Sequence, residues 1–336
     1  MAIVIGAGVS GLSSAVALLE AGHAVDVWAR ERVERTTSAV AGALWLPFLA
    51  APPELVARWA LASLERFAAL AGRSDTGVER REVVVVLRRP GEAPPAWAEA
   101  LPSFRLVGPA ELPPGARAAW AIEAPVIDMR RYLAWLEARV GELGGRIEGR
   151  DVASLDEALA RAELVVNCAG LGARELCGDH DLHPVRGQIV RSADPGVRGA
   201  FVDDDAPGGV TYVIPRGGEC VLGGSVEPGR SDREVDEREA DAIVRRASAF
   251  DARLAAAPRR SAAAGLRPAR SRVRLEAEPR PGGRLLVHNY GHGGSGVTLS
   301  WGCAADVVAL AGGPAGAGRA GAPAPRPATP RGAGAG

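Results

Sequence analysis

The stretch AIVIGAGVSGLSSAVALLEAGHAVDVWAR, residues 2–30, reads as strand, glycine turn, helix and second strand. Ala2 to Ile5 are apolar and rich in β-branched side chains, as a short strand buried on both faces requires. Gly6, Gly8 and Gly11 then form a GxGxxG pattern with Ala7, Val9 and Ser10 between them. Gly6 permits the tight turn, Gly8 lets backbone approach a pyrophosphate, and Gly11 lets the helix press onto the strand. Leu12, Ala15, Val16 and Leu19 recur at helical spacing, Gly22 closes the helix, and Val25, Val27 and Trp28 make the next strand. The free N–H groups and positive dipole end of that helix are thereby aimed at a phosphate.

An acid usually closes the second strand, where it holds a ribose hydroxyl. Here Ala29 and Arg30 stand at that place and Glu31 follows. Glu31 suits the ribose and Arg30 a phosphate oxygen, with ordinary surface charge as the other reading of both. Thr36, Thr37 and Ser38 precede a small-residue run that contains Gly42, Ala43 and Leu44 and ends in Trp45, Leu46 and Pro47. Small residues admit something flat and hydroxyls donate to phosphate or ring oxygens; a simple buried turn is the alternative. Far along the chain, a strand expected at Arg284–His288 runs into Asn289-Tyr290-Gly291-His292-Gly293-Gly294-Ser295-Gly296, and a helix over Val297–Leu310 follows. Two glycine loops that each open a helix suit one long, two-ended ligand. FAD is such a ligand, with pyrophosphate at the first loop and isoalloxazine near the second.

With 336 residues the chain is long enough for more than one domain. Formal net charge is zero, so no electrostatic case for nucleic acid or an anionic membrane arises. All 40 basic residues are arginine, which excludes a lysine Schiff base or lysine general base. Cys168, Cys177, Cys220 and Cys303 show neither CxxC nor metal-ligand spacing, so reduced thiols are expected, with a Cys168–Cys177 bridge left open. His288 and His292 are four apart but lie in a glycine-rich loop without a paired Glu, so no metal is expected. Neither a charged leader nor an apolar run of bilayer length is present, and a cytoplasmic protein is expected.

Between the two loops, the sequence predicts a helix over Glu54–Ala71, a valine strand over Glu82–Leu87 and irregular structure from Pro90 to Pro125. Asp128 is the N-cap candidate of a helix closed by Gly144-Gly145. Leu164–Asn167 reads as a buried strand that returns to the first sheet and ends in Cys168-Ala169-Gly170-Leu171-Gly172. Strands follow at Pro184–Val190 and Val210–Pro215, the latter setting Val210, Tyr212 and Ile214 on one face, and Cys220–Leu222 returns after a Gly217-Gly218 turn. The acidic run Asp203-Asp204-Asp205 is expected in a mobile, solvated loop, and Val235–Leu254 as one charged amphipathic helix. GLRPAR, residues 265–270, precedes a strand expected at Arg272–Glu276.

Taken together and in one order, VIGAGVSGL, TTSAVAGALWLPF, LVVNCAGLGA, PVRGQIV, TYVIP, GLRPAR with RVRLE, and HNYGHGGSGVTLSWG resemble the D-amino-acid oxidase family of FAD-dependent oxidoreductases, over residues 1–311. The resemblance implies an α/β and α+β fold. A discontinuous Rossmann-type FAD-binding domain (1–50, 128–187 and 265–312) would join a mixed-sheet substrate-binding domain (51–127 and 188–264), ahead of a disordered Gly/Ala/Pro-rich tail at 313–336. It implies oxidation of the Cα–N bond of a D-amino acid, with hydride passing from Cα to the flavin. Hydrolysis then gives the 2-oxo acid and ammonia, and molecular oxygen becomes hydrogen peroxide. Catalysis of that kind is chiefly positioning and electrostatics.

Arg267 matches the family arginine that grips the substrate carboxylate bidentately, a geometry lysine cannot reproduce. Tyr212 matches the tyrosine whose hydroxyl supports the same carboxylate. Gly291, Gly293, Gly294, Ser295, Gly296 and Val297 match the loop beside the flavin, Ser295 falling in the catalytic set and Gly294 in the substrate pocket. Leu44, Val166 and Thr298 match positions around the flavin or pocket, and Leu44, Leu46 and Ile214 match the side-chain pocket. Position 46 is often polar in relatives, so a leucine there implies neutral, apolar substrates. The second tyrosine that many vertebrate members carry on a lid has no counterpart within Asp203–Gly209. Members are often homodimers.

A D-aspartate oxidase would need a further cation for the second carboxylate; Val226 does not supply one, whereas Arg216 can. A glycine- or sarcosine-type amine oxidase shares the glycine fingerprint but not the pair GLRP and HNYGHGGSG. A non-catalytic flavin-binding scaffold is opposed by Arg267 and Tyr212 occurring together, and a nicotinamide dehydrogenase by the return to one sheet.

Overall fold

The computed structural model describes residues 1–312, so the tail expected over 313–336 lies outside the described residues. In chain order the strands are β1 (Ala2–Ile5), β2 (Val25–Ala29), β3 (Val78–Leu87), β4 (Arg105–Leu106), β5 (Ala118–Ile127), β6 (Arg146–Gly149), β7 (Leu164–Asn167), β8 (His183–Ala193), β9 (Ala200–Asp203), β10 (Thr211–Arg216), β11 (Glu219–Gly223), β12 (Glu227–Pro228), β13 (Arg259–Ala269), β14 (Arg274–Arg280) and β15 (Arg284–Tyr290). The helices are α1 (Val9–Glu20), α2 (Thr37–Val40), α3 (Pro53–Leu70), α4 (Ala96–Glu99), α5 (Met129–Glu142), α6 (Leu155–Leu159), α7 (Ala173–Cys177), α8 (Glu237–Ala247) and α9 (Gly296–Ala311).

Two sheets divide the strands. The first runs β14-β15-β7-β1-β2-β6 and is parallel except for the β14–β15 pair. Strand β1 lies between β2 and β7, which enter from opposite sides, so the carboxyl end of β1 is a topological switch point where a crevice opens. Helix α1 is buried on most sides because the sheet covers one flank and α9 another; Leu12, Val16 and Leu18 are fully buried. Each such side chain contributes about 1.5–3 kcal/mol by leaving water. Gly11 makes the packing possible, since a Cβ there would stand 1.9 Å from the Gly6 carbonyl oxygen.

The second sheet runs β12-β8-β11-β10-β9-β3-β5-β4, with β13 paired along β8. The segment from Gly42 to Phe48 ties the two halves together. Trp45, fully buried, donates from its indole to the Ala60 carbonyl at 2.9 Å, and its backbone N–H donates to the Pro125 carbonyl at 2.9 Å.

Several elements depart from expectation. The irregular stretch expected across Pro90–Pro125 contains most of β5, whose ten residues pair along the whole of β3. Its residues are buried on both faces, which erases the alternation that marks a half-exposed strand. GLRP precedes a strand as expected, β14 over Arg274–Arg280, but it also lies inside one, β13, whose Arg-Arg-Ser-Ala-Ala-Ala-Gly opening has little strand propensity of its own. The helix expected over Val235–Leu254 is shorter: Asp236 caps α8, Ser248 ends it, and Asp251 caps a separate turn at Ala252–Ala255. The acidic run is only partly solvated: Asp203 is fully buried and pairs with Arg88 at 2.7 Å and Asp205 pairs with Arg89, while Asp204 is exposed in the turn past β9. All four cysteines are free, which closes the Cys168–Cys177 alternative.

Candidate active site

A cavity of about 660 Å³ opens at the switch point. Its walls include the carboxyl ends of four parallel strands: Gly6 after β1, Arg30 and Glu31 after β2, Cys168 to Gly172 after β7, and Asn289 and Tyr290 at the end of β15. The N-terminus of α1 faces it through Ala7, Gly8, Val9 and Ser10, with no acidic residue in the first turn. Ser38 accepts from the Val9 N–H at 3.0 Å, so the hydroxyl expected to meet a phosphate also steadies the loop. Thr36, Thr37, Gly42, Ala43, Leu44 and Leu46 continue the wall toward Tyr212, Ile214 and Arg267. Gly293, Gly294, Gly296, Val297 and Thr298 close it from the start of α9.

That single cavity therefore carries nearly every site residue named from the sequence, and four stand outside its lining. Gly11 serves the packing of α1. Val166 is fully buried in the first sheet between Val4 and Val287. Gly291, at a φ of 80°, turns the chain beyond β15. Ser295 is fully buried: its hydroxyl accepts from the Phe48 N–H at 2.6 Å and donates to the Phe48 carbonyl at 2.7 Å. Ser295 thus acts on the cavity through Phe48, whose ring lies 5.9 Å from the Arg267 guanidinium carbon. Thr298 lines the cavity and accepts from the Leu46 N–H at 3.3 Å, fastening the small-residue run to α9.

Arg267 and Tyr212 come from different strands and meet. Arg267 projects from β13 across Gly187 of β8, where a Cβ would stand 2.3 Å from its two terminal nitrogens. One of those nitrogens donates to the Arg186 and Ser225 carbonyls at 3.3 and 3.1 Å, which holds the fork in place. The Tyr212 ring lies over Gly223, where a Cβ would come within 1.9 Å of the ring. Burial raises the Tyr212 pKa above the ordinary phenol value, opposed by the adjacent Arg267 and Arg216 guanidinium groups, so the hydroxyl stays a donor.

Arg216 is no free cation. It is 2% exposed, donates to the Gly42 carbonyl at 2.9 Å and to the Ile127 carbonyl, and burial draws its pKa down to about 10. Three further titratable residues line the cavity that the sequence reading does not place in the site. His292 is buried against Asn289 at 3.0 Å, and burial draws its pKa down to about 4. Arg233 lies on the cavity wall 3.8 Å from Glu31. Asp204, exposed in the turn past β9, borders the cavity, and its crowded surroundings together with the neighbouring acids Asp205, Asp203 and Glu92 raise its pKa above the ordinary carboxylate value.

The residues fit a dinucleotide with a flat ring. Bare backbone and a helix N-terminus free of acids stand at one part of the cavity, a ribose-competent Glu31 beside it, and a second helix N-terminus with apolar walls beyond. Among the described residues no group of three or more His, Cys, Asp or Glu side chains is placed to hold a metal ion, and no helix is long and apolar enough to cross a membrane.

A profile of the family described as FAD dependent oxidoreductase matches residues 1–310. The chain is 51% identical over 311 residues to a D-amino-acid oxidase of Rubrobacter xylanophilus, covering 93% of this chain and 95% of that one. It is 46% identical over 312 residues to a D-amino-acid oxidase of Streptomyces coelicolor, covering 92% and 96%. Its fold is similar to that of glycine oxidase from Bacillus cereus, with a TM-score of 0.75 at 20% identity over 93% of this chain and 94% of the other.

Proposed function

The chain belongs to the FAD-dependent oxidoreductase family that contains the D-amino-acid oxidases, and on that premise we propose that it oxidises neutral D-amino acids to 2-oxo acids, with ammonia and hydrogen peroxide as the other products. The observation that carries the reading is the meeting of Arg267 and Tyr212 in the cavity that also holds the glycine loop of α1. FAD, when bound, supplies the two-electron acceptor for the Cα–N bond. Its pyrophosphate would be held by the Gly6–Ser10 loop and its ribose by Glu31.

The rest of the work belongs to side chains. Arg267 presents its fork to the substrate carboxylate, and the Tyr212 hydroxyl donates to the same group. Two such charge-assisted contacts fix the orientation of Cα. Leu44, Leu46, Ile214 and Val202 exclude water around the side chain. His292, bonded to Asn289 and with its pKa drawn down to about 4, is a weak base, and Tyr212 stays protonated, so neither is called on to take a proton from Cα. Arg216, consumed by two backbone carbonyls, does not serve a second substrate carboxylate, which weighs against D-aspartate as the preferred substrate. The division of the chain into FAD segments at 1–50, 128–187 and 265–312 and substrate segments at 51–127 and 188–264 is part of this proposal. So is a cytoplasmic location, which suits four free thiols.

The test is peroxide release by the purified, FAD-loaded protein against D- and L-amino acids, glycine, sarcosine and D-aspartate. Peroxide with neutral D-amino acids is the expected result. Flavin bound with silence across the panel overturns the oxidase reading, and activity confined to D-aspartate overturns the substrate class.

A further inference from the structure

Tyr212, Ile214 and Arg216 alternate along β10 and so share one of its faces. Tyr212 and Ile214 line the cavity, and Arg216, 2% exposed, continues their row behind the cavity wall. Its donors are engaged but its charge is not. Among the described residues Arg216 forms no ion pair, and the two acids that attract it, Asp128 and Glu219, are both engaged by Arg130, with Arg191 a further 3.9 Å from Glu219. Burying a lone charge is costly, and an apolar side chain of similar volume would fill the space without that cost, so packing does not account for this arginine.

What Arg216 holds does account for it. A single nitrogen, Nη1, donates to the Gly42 carbonyl at 2.9 Å and to the Ile127 carbonyl, and so fastens the turn ahead of Trp45 to the end of β5. The next residue, Ala43, stands at a φ of 57°, in the left-handed region. That region disfavours a residue with a Cβ by roughly 5–30-fold. Two contacts hold the turn there: the Ile127 N–H donates to the Ala43 carbonyl at 2.9 Å, and Arg216 grips the carbonyl of Gly42.

The strained turn is also the wall of the site. Gly42, Ala43 and Leu44 all line the cavity. Gly42 packs closely on the substrate side as well, since a Cβ there would stand 3.2 Å from the Tyr212 ring and 3.2 Å from the Ile214 side chain. A shift of the turn therefore moves the surface offered to a flat ring and the seat of Tyr212 together.

We infer that Arg216 is a positioning residue, which keeps the Gly42–Leu44 turn in its left-handed form and thereby sets the wall against which the ring of FAD and the Tyr212 side chain are placed. The inference rests on the oxidase reading above and adds to it a residue from behind the cavity lining.

The experiment uses Arg216→Met, which removes the charge and both bonds at similar length, and Arg216→Lys, whose ammonium can serve both carbonyls because one nitrogen serves them now. Arg216→Gln, which keeps an amide donor, is made in parallel, so that the comparison stands on whichever neutral variant keeps the wild-type far-ultraviolet dichroism. The FAD dissociation constant is followed by the fluorescence released on dilution of the loaded protein, and kcat by peroxide release from D-norleucine at saturating FAD. The neutral variant is expected to raise the dissociation constant and lower kcat by roughly 10-fold or more each, as a relaxed turn displaces what it positioned. Arg216→Lys is expected to stay within about 3-fold of the wild type in both. Adding Ala43→Gly to the neutral variant is expected to recover most of both losses, because glycine takes the left-handed turn unaided, whereas the loss of a merely structural arginine would not be rescued at position 43. FAD affinity and kcat unchanged in the folded neutral variant, or a double variant as impaired as the single one, overturns the role of Arg216 and leaves the oxidase reading standing. A wild type that binds FAD but releases no peroxide from any D-amino acid overturns the oxidase reading, and FAD dissociation alone then decides the role of Arg216.

Discussion

The Arg267 fork is held in place by an absence, the missing side chain of Gly187. Alanine at position 187 would put a Cβ 2.3 Å from both terminal nitrogens of Arg267 and 2.4 Å from its central carbon. Non-bonded heavy atoms settle near 3.5–4.0 Å, so the guanidinium must retreat by about 1 Å or more. Retreat is available because the clash is with the end of a flexible side chain and not with backbone, so Gly187→Ala folds. Displacing a positioning group by about 1 Å costs up to ~100-fold, and loss of one charge-assisted contact costs about 1.5–3 kcal/mol, so kcat/KM for D-norleucine falls by roughly 10–100-fold. Peroxide release gives the kinetics, and visible absorbance shows that the FAD content per chain is retained. A double-mutant cycle isolates the cause: in an Arg267→Ala background the added Gly187→Ala has nothing left to displace and costs little more. Equal losses from Gly187→Ala in both backgrounds, or kcat/KM unchanged in the single variant, would refute the steric argument.

Arg267→Lys keeps the charge but loses the fork, and is expected to raise KM for neutral D-amino acids by about 10-fold or more while FAD binding, followed by fluorescence titration, stays as it was. Gly11→Ala drives a Cβ to 1.9 Å from the Gly6 carbonyl oxygen, where both partners are backbone; a collapse of soluble, FAD-containing protein on expression is the expected result, and a variant with ordinary yield and melting temperature would contradict the packing. His292 titrates near 6.5 in an unfolded chain and at about 4 when folded. The folded state then binds fewer protons between those values, so stability is fully present above pH 6.5 and falls by about 3 kcal/mol as pH drops to 4. Urea unfolding of the FAD-loaded protein across that range measures the loss, and His292→Gln should remove this part of the slope.

The nucleotide half of the site was legible because its information is local. A strand, three glycines at fixed spacing and a helix with one apolar stripe determine where the α1 N-terminus points, whatever the rest of the chain does. The same holds for β15, its glycine loop and α9. Tyr212 was placed with its correct facing neighbours by alternation alone, since a strand of period two has only two faces to offer. Arg267 was recognised from its motif, but its strand was not. Ala262, Ala263 and Ala264 have little reason to be a strand until β8 is there to pair with them, residue for residue.

Asp203 shows why the remainder was not legible. Three consecutive acids are solvated by default, because burying even one without a partner costs several kcal/mol. The default fails here through the parallel pairing of β9 with β3, strands more than a hundred residues apart in sequence. That pairing brings Arg88 and Arg89 of the β3 terminus against the side of the chain that carries Asp203 and Asp205. Asp204, in the turn just past β9, keeps the solvated default at the edge of the substrate cavity. Local sequence therefore specifies three acids of equal standing, while only the long-range pairing of β9 with β3 specifies that Asp203 is the one taken into the interior and matched with an arginine.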